Sequence, residues 1–63
     1  MGGELLSVDE SAMLLHLRVS TVRAWILARR IPFVKLGRRV FLRRQDLNAL
    51  VARSVIPASP EKR

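Results

Sequence analysis

The chain has no cysteine, a single histidine and only five acidic residues in 63 positions. Without cysteine, neither a disulfide nor a thiolate metal site can staple so short a fold. The lone His16 has no visible companions for a metal site and reads as a turn residue. No carboxylate pair stands beside a candidate nucleophile, so an enzyme is the poorest class of function; no catalytic residue, cofactor or metal is expected. No stretch approaches the ~20 apolar residues of a membrane span. Met1-Gly2-Gly3-Glu4 lacks the basic start and long apolar stretch of a signal peptide. These absences lead us to expect a cytoplasmic protein with no membrane partner. There are also no internal repeats.

What is present is arginine and aliphatic surface. Hydrophobic residues make up 49% of the chain, enough for one small core and against full disorder. A domain of this size buries little surface and is marginal by default. Twelve Lys and Arg against five Asp and Glu give a net charge of +7. Ten of the cations lie between Arg18 and Arg53, and of those only Lys35 is lysine. Arginine offers a planar fork that suits phosphate groups and guanine edges. Glu4, Asp9 and Glu10 sit early, so charge is segregated along the chain. A polyanionic partner follows, with a solvated basic surface as the plain alternative.

Ser7-Val8-Asp9-Glu10 reads as a capping box, and Val8, Ala12 and Leu15 then share one helical face, predicting a first helix over Val8 to Leu15. Leu5 or Leu6 is placed to staple onto its first turn. His16-Leu17-Arg18 is the turn, and a second helix follows from about Val19 to Ala28. Its core face carries Val22, Trp25 and Ile26; the opposite face carries Val19, Ser20, Arg23, Ala24 and Leu27. Pro32 ends the helical run. Phe33 to Leu36 and Val40 to Arg43 alternate as two strands around Gly37. A three-residue loop, Gly37-Arg38-Arg39, keeps Val34, Leu36, Val40 and Leu42 on one face, with Phe33, Lys35, Phe41 and Arg43 on the other. A third helix is expected over Arg44 to Arg53, with Leu47, Leu50 and Val51 as its stripe. Pro57 and Pro60 mark a tail.

The order helix, tight turn, helix, basic hairpin, helix resembles the small winged helix-turn-helix domains of the MerR-like superfamily, and is most similar to their short phage-excisionase-like members. The matching residues are Ser7-Val8-Asp9-Glu10-Ser11-Ala12, Leu14-Leu15, Ser20-Thr21-Val22, Trp25-Ile26, Ile31-Pro32, Val34-Lys35-Leu36-Gly37-Arg38-Arg39 and Arg43-Arg44-Gln45-Asp46-Leu47. The resemblance implies a mainly α fold with a small β-hairpin wing. The chain then divides into a flexible lead over 1–5, a DNA-binding domain over 6–53 and a disordered tail over 54–63. It implies that the second helix enters the major groove and that the wing tracks the adjacent backbone or minor groove. Carried over by position, the readers are Val19, Ser20, Arg23 and Ala24, and the wing cations are Lys35, Arg38 and Arg39. Thr21 falls where the family contacts phosphate or supports the helix start. Three positions depart from the pattern. His16 and Arg29 stand where glycine is usual, and Arg18 stands where serine commonly caps the second helix. Met13 and Leu27 are apolar where such domains are usually polar.

Chemistry assigns roles within this frame, each with a plainer alternative. Arg38 and Arg39 at a wing tip suit a narrow, electronegative minor groove; otherwise they are charged turn residues. Arg23 reaches a guanine edge or a phosphate, or is a solvated helix residue. Ser20 and Thr21 either donate to phosphates or cap the helix. Val19 and Ala24 either touch thymine methyls or form a neutral face. Arg43 and Arg44 sit at a helix start, an unfavourable place for cations, which hints at an external anion clamped there. Trp25 has core spacing. Phe33 and Phe41 either cover the core or join Met13 and Leu27 in a protein contact.

The leading expectation is sequence-specific binding of double-stranded DNA. A single domain with a footprint of ~600–1,000 Å² binds modestly. It therefore calls for further copies of itself on repeated sites, or for a protein partner. That suits an excisionase-type architectural factor working with a recombinase (integrase), and equally a small transcription regulator working with RNA polymerase. A protein-interaction module is the alternative from another class. The heptads and length of the larger regulators are missing, so direct sensing of a metal or drug is not expected.

Overall fold

The structure, a computed structural model, describes residues 4–58. Residues 1–3 and 59–63, which include most of the expected lead and the end of the expected tail, lie outside the described residues. The order of elements is β1 (Leu5–Ser7), α1 (Val8–Leu15), α2 (Val19–Leu27), β2 (Val34–Leu36), β3 (Arg39–Arg43) and α3 (Arg44–Arg53). The three helices and the hairpin stand within a residue or two of where the sequence places them. Three points are corrected by the structure: the sheet, the hairpin loop and the strand faces.

The hairpin is part of a three-stranded antiparallel sheet of order β1-β3-β2. Leu5, Leu6 and Ser7 pair with Arg43, Leu42 and Phe41. The lead expected over 1–5 thus ends in an ordered strand: Leu5 is in the ladder, and the Glu4 carbonyl accepts the Arg44 N–H at 2.9 Å. Making β3 central explains why Leu42 is wholly buried.

The hairpin loop has two residues, Gly37 and Arg38, not three. Leu36 pairs with Arg39, Lys35 with Val40 and Val34 with Phe41. Gly37 has φ +62° and is followed by a residue of negative φ, the pattern of a type II′ hairpin turn, whose twist matches that of the strands. This register reverses the expected partition of faces. Val34 and Leu36 lie with Phe41, while Lys35 lies with Val40 on the face that carries Leu42. The expectation assumed that all four aliphatic residues must share one face. Instead Val34 and Phe41 are cross-strand partners, each half-buried, and form a small apolar strip on the other face.

The capping box is present in both directions. Ser7 Oγ accepts the Glu10 N–H at 3.0 Å, and Glu10 Oε1 accepts the Ser7 N–H at 2.8 Å. Ser11, buried within the fold, donates its hydroxyl to the Ser7 carbonyl at 2.8 Å, so its burial leaves no polar group unpaired.

The turns that end α1 and α2 use the left-handed region without glycine. His16 has φ 59° and Arg29 φ 58°. After α1, the Leu17 N–H reaches back to the Ala12 carbonyl at 2.9 Å; after α2, the Arg30 N–H reaches the Trp25 carbonyl at 2.8 Å. Each is the six-to-one bond of a Schellman ending, which ordinarily selects glycine. Arg18, at the N-cap of α2, makes no side-chain capping bond.

The core is Leu6, Ala12, Val22, Ile26, Ile31, Leu42 and Leu47, drawn from all three helices, β1, β3 and the loop before β2. Val8, Leu15, Val19, Trp25, Phe33, Val40 and Leu50 pack around it. Leu6 is buried in the same core as Ala12 of α1 and is also a strand residue, paired with Leu42. No helix among the described residues is long and apolar enough to cross a membrane.

Candidate nucleic-acid interface

Arg23 from α2 and Arg38 and Arg39 from the hairpin come together. They line one open cleft of about 270 Å³ with Ser7, Val8, Asp9 and Val40. Its geometry follows from the fold. The tight turn at His16 sets α2 across α1, and the central position of β3 carries the hairpin tip to the start of α1. The three arginines are exposed. Arg39 lies over the Phe41 ring at 5.3 Å, which steadies the wing beside its turn. Asp9 is the one carboxylate in this cleft, and no ion pair among the described residues joins it to the three arginines. Ser7, Val8 and Asp9 were read from sequence only as a helix start; their place in the cleft depends on the hairpin register.

The remaining sequence candidates divide. Ser20 and Ala24 are exposed on α2, as a base-facing surface requires. Thr21 is half-buried, and neither it nor Ser20 supplies a capping bond to α2. Val19 packs partly on the core. Lys35 does not line the cleft; it lines a separate concavity with Arg29, Arg30 and Arg53.

Arg43 and Arg44 are already paired. Arg43 donates two bonds to Asp46, Nε to Oδ2 at 2.6 Å and Nη2 to Oδ1 at 3.0 Å. The hydrogen bond first, and the charge of Asp46 second, hold the Arg43 guanidinium above its ordinary pKa. Arg44 donates Nε to Glu4 Oε1 at 2.7 Å across forty positions of chain. Two local carboxylates therefore offset the unfavourable placing of these cations at a helix start.

The suggested apolar group is dispersed. Met13 and Leu27 are 77% and 84% exposed. Phe33 packs on the core beneath Arg29, while Phe41 lies in the strip beside Val34. A different apolar groove, about 330 Å³, runs between Leu15, Leu17, Trp25, Leu50, Val51 and Val55.

Two helices joined by a tight turn, with a basic hairpin whose tip meets the second helix in one cleft, define a small winged helix-turn-helix domain. The chain belongs to the helix-turn-helix domain family, whose model matches residues 5–55. DNA binding is the function that this membership assigns. No curated protein and no solved structure matches the chain.

Proposed function

We propose that the protein binds specific duplex sites as a small architectural factor of the excisionase type. In this reading α2 lies in the major groove with Ser20, Arg23 and Ala24 toward the bases, and Val19 and Thr21 at the helix entry. The turn from Gly37 to Arg39 rests on the adjacent backbone or minor groove. The observation that carries it is the convergence of Arg23, Arg38 and Arg39 on a single open cleft. Arginines from the helix and from the wing are thereby offered to one partner at once. Arg43 and Arg44 are secondary contacts, since each must share its fork with a carboxylate.

The small footprint favours several copies bound side by side on repeated sites. The groove of Leu17, Leu50, Val51 and Val55 supports a protein neighbour there, whether a further copy or a recombinase. The same binding mode serves a small transcription regulator, for which the neighbour is RNA polymerase. A titration of labelled DNA from around its own gene, with random competitor at two salt concentrations, tests the reading. Discrete, stepwise, salt-sensitive complexes are expected. No complex at low salt overturns it. Reconstitution of excision against transcription then separates the two roles.

A further inference from the structure

The cations of the domain are not one surface. Arg43 and Arg44 are paired, and Arg23, Arg38 and Arg39 line the cleft. Four of the others, Arg29, Arg30, Lys35 and Arg53, line a second, open concavity of about 650 Å³ walled by Pro32 and Phe33. They arrive from three places: the end of α2, the middle of β2 and the end of α3. No carboxylate lines this concavity among the described residues. Glu4 and Asp46 are held by Arg44 and Arg43, Glu10 caps α1, and Asp9 is in the cleft.

Two of the three guanidinium groups are held beside aromatic rings. The guanidinium carbon of Arg29 lies over the Phe33 ring, 5.7 Å from its centroid, and that of Arg30 over the Trp25 ring at 5.6 Å. Cation–π attraction to a ring uses none of the N–H donors of a guanidinium, so they stay available to an anion, with less side-chain entropy left to lose on binding. The helix dipole accounts for a cation at the end of α2 or α3. It does not account for both ends meeting Lys35 in one concavity.

We infer that this cluster is a second phosphate-binding surface, which holds the backbone of the same duplex outside the cleft of α2 and the wing. The inference rests on the DNA-binding reading above. A duplex carries a phosphate charge about every 1.7 Å of its axis, so DNA engaged at the cleft continues as a line of charge. Arginine-rich, planar recognition with the aromatic rings covered fits phosphate better than an apolar protein anchor.

The test is the variant Arg30→Gln with Arg53→Gln, bound to a long specific duplex, a random duplex of equal length and a duplex trimmed to the cleft footprint. On long DNA the salt slope is expected to fall by about 2, at 0.9 per lost phosphate contact. Specific and random affinity should fall together, about fivefold or more, and the trimmed duplex should bind as before. Arg38→Ala with Arg39→Ala is the control. If that control loses salt slope while the cluster variant matches wild type on long DNA, the second surface is wrong and the first reading stands, leaving the cluster to an acidic protein. If wild type itself shows no salt-dependent complex, the first reading fails. Lys35→Gln, on an exposed strand position, repeats the test should the double variant melt, with an expected slope loss of about 1. In wild type, the emission of Trp25, the sole tryptophan, should shift with long DNA and not with the trimmed duplex; no difference between them also counts against the cluster.

Discussion

His16 and Arg29 carry the same conformational burden at the ends of α1 and α2, and they separate stability from binding. A non-glycine residue in the left-handed region costs about 1 kcal/mol. His16→Gly should relieve it at an exposed position and raise the melting temperature by about 4–8 °C, the usual response of a domain this size to ~1 kcal/mol. DNA affinity should not change. Arg29→Gly should stabilise similarly but lower the salt slope of binding, because it also removes a guanidinium from the second cluster. Thermal melts and salt titrations of the two variants check this pair; equal slopes would show that Arg29 meets no phosphate. Arg23 makes the third case. If it reads a base, Arg23→Ala should cost about 1–3 kcal/mol on the specific site and much less on random DNA. An unchanged ratio would make it a backbone contact. The conformational burden was partly legible, since the resemblance drawn from the sequence leads to glycine being expected at His16 and Arg29. That both residues accept the left-handed region, rather than shifting the turn, is visible only from the backbone.

At the scale of elements, the helices were legible and the sheet was not, for reasons of length. α1 announces itself through the capping box of Ser7 and Glu10 and through the spacing of Val8, Ala12 and Leu15. β1 has three residues, Leu5 to Ser7, too few for any period to show. The hairpin was legible in place but not in register. Gly37 signals a turn of two residues as well as of three, and the pattern of aliphatic residues favoured the wrong choice because Val34 and Leu36 lie with Phe41, on the face opposite Leu42. Its centre gives the sharpest stability prediction. Leu42 is fully buried between β1 and β2 and beneath the helices. Leu42→Ala should cost about 2–5 kcal/mol, a large part of what so small a domain has. Circular dichroism should show a largely unfolded chain at 37 °C. Gly37→Ala acts differently. Nothing lies within 4 Å of the added methyl, so its expected cost of about 1 kcal/mol comes from φ alone.

For the whole molecule, the question is which cations remain free for a polyanion, and a count of charges does not answer it. The pairing of Glu4 with Arg44 joins residues forty positions apart and is invisible to any local pattern. It sits where the Glu4 carbonyl also holds the Arg44 N–H, so it fastens β1 to the start of α3. Being exposed, such a pair contributes at most about 1 kcal/mol. Its larger effect is to reduce what Arg44 offers to DNA, as Asp46 does for Arg43. Arg38→Ala with Arg39→Ala should therefore leave helicity intact and lower the salt slope by about 2, at 0.9 per contact. Arg43→Gln with Arg44→Gln should lower it by less than half as much, although both variants remove two positive charges. Equal losses would mean that DNA displaces Asp46 and Glu4 from their arginines. In that case Asp46→Asn, which releases Arg43 beforehand, should bind more tightly than wild type. An Asp46→Asn protein that binds no better would leave the free wing arginines as the contacts that govern association.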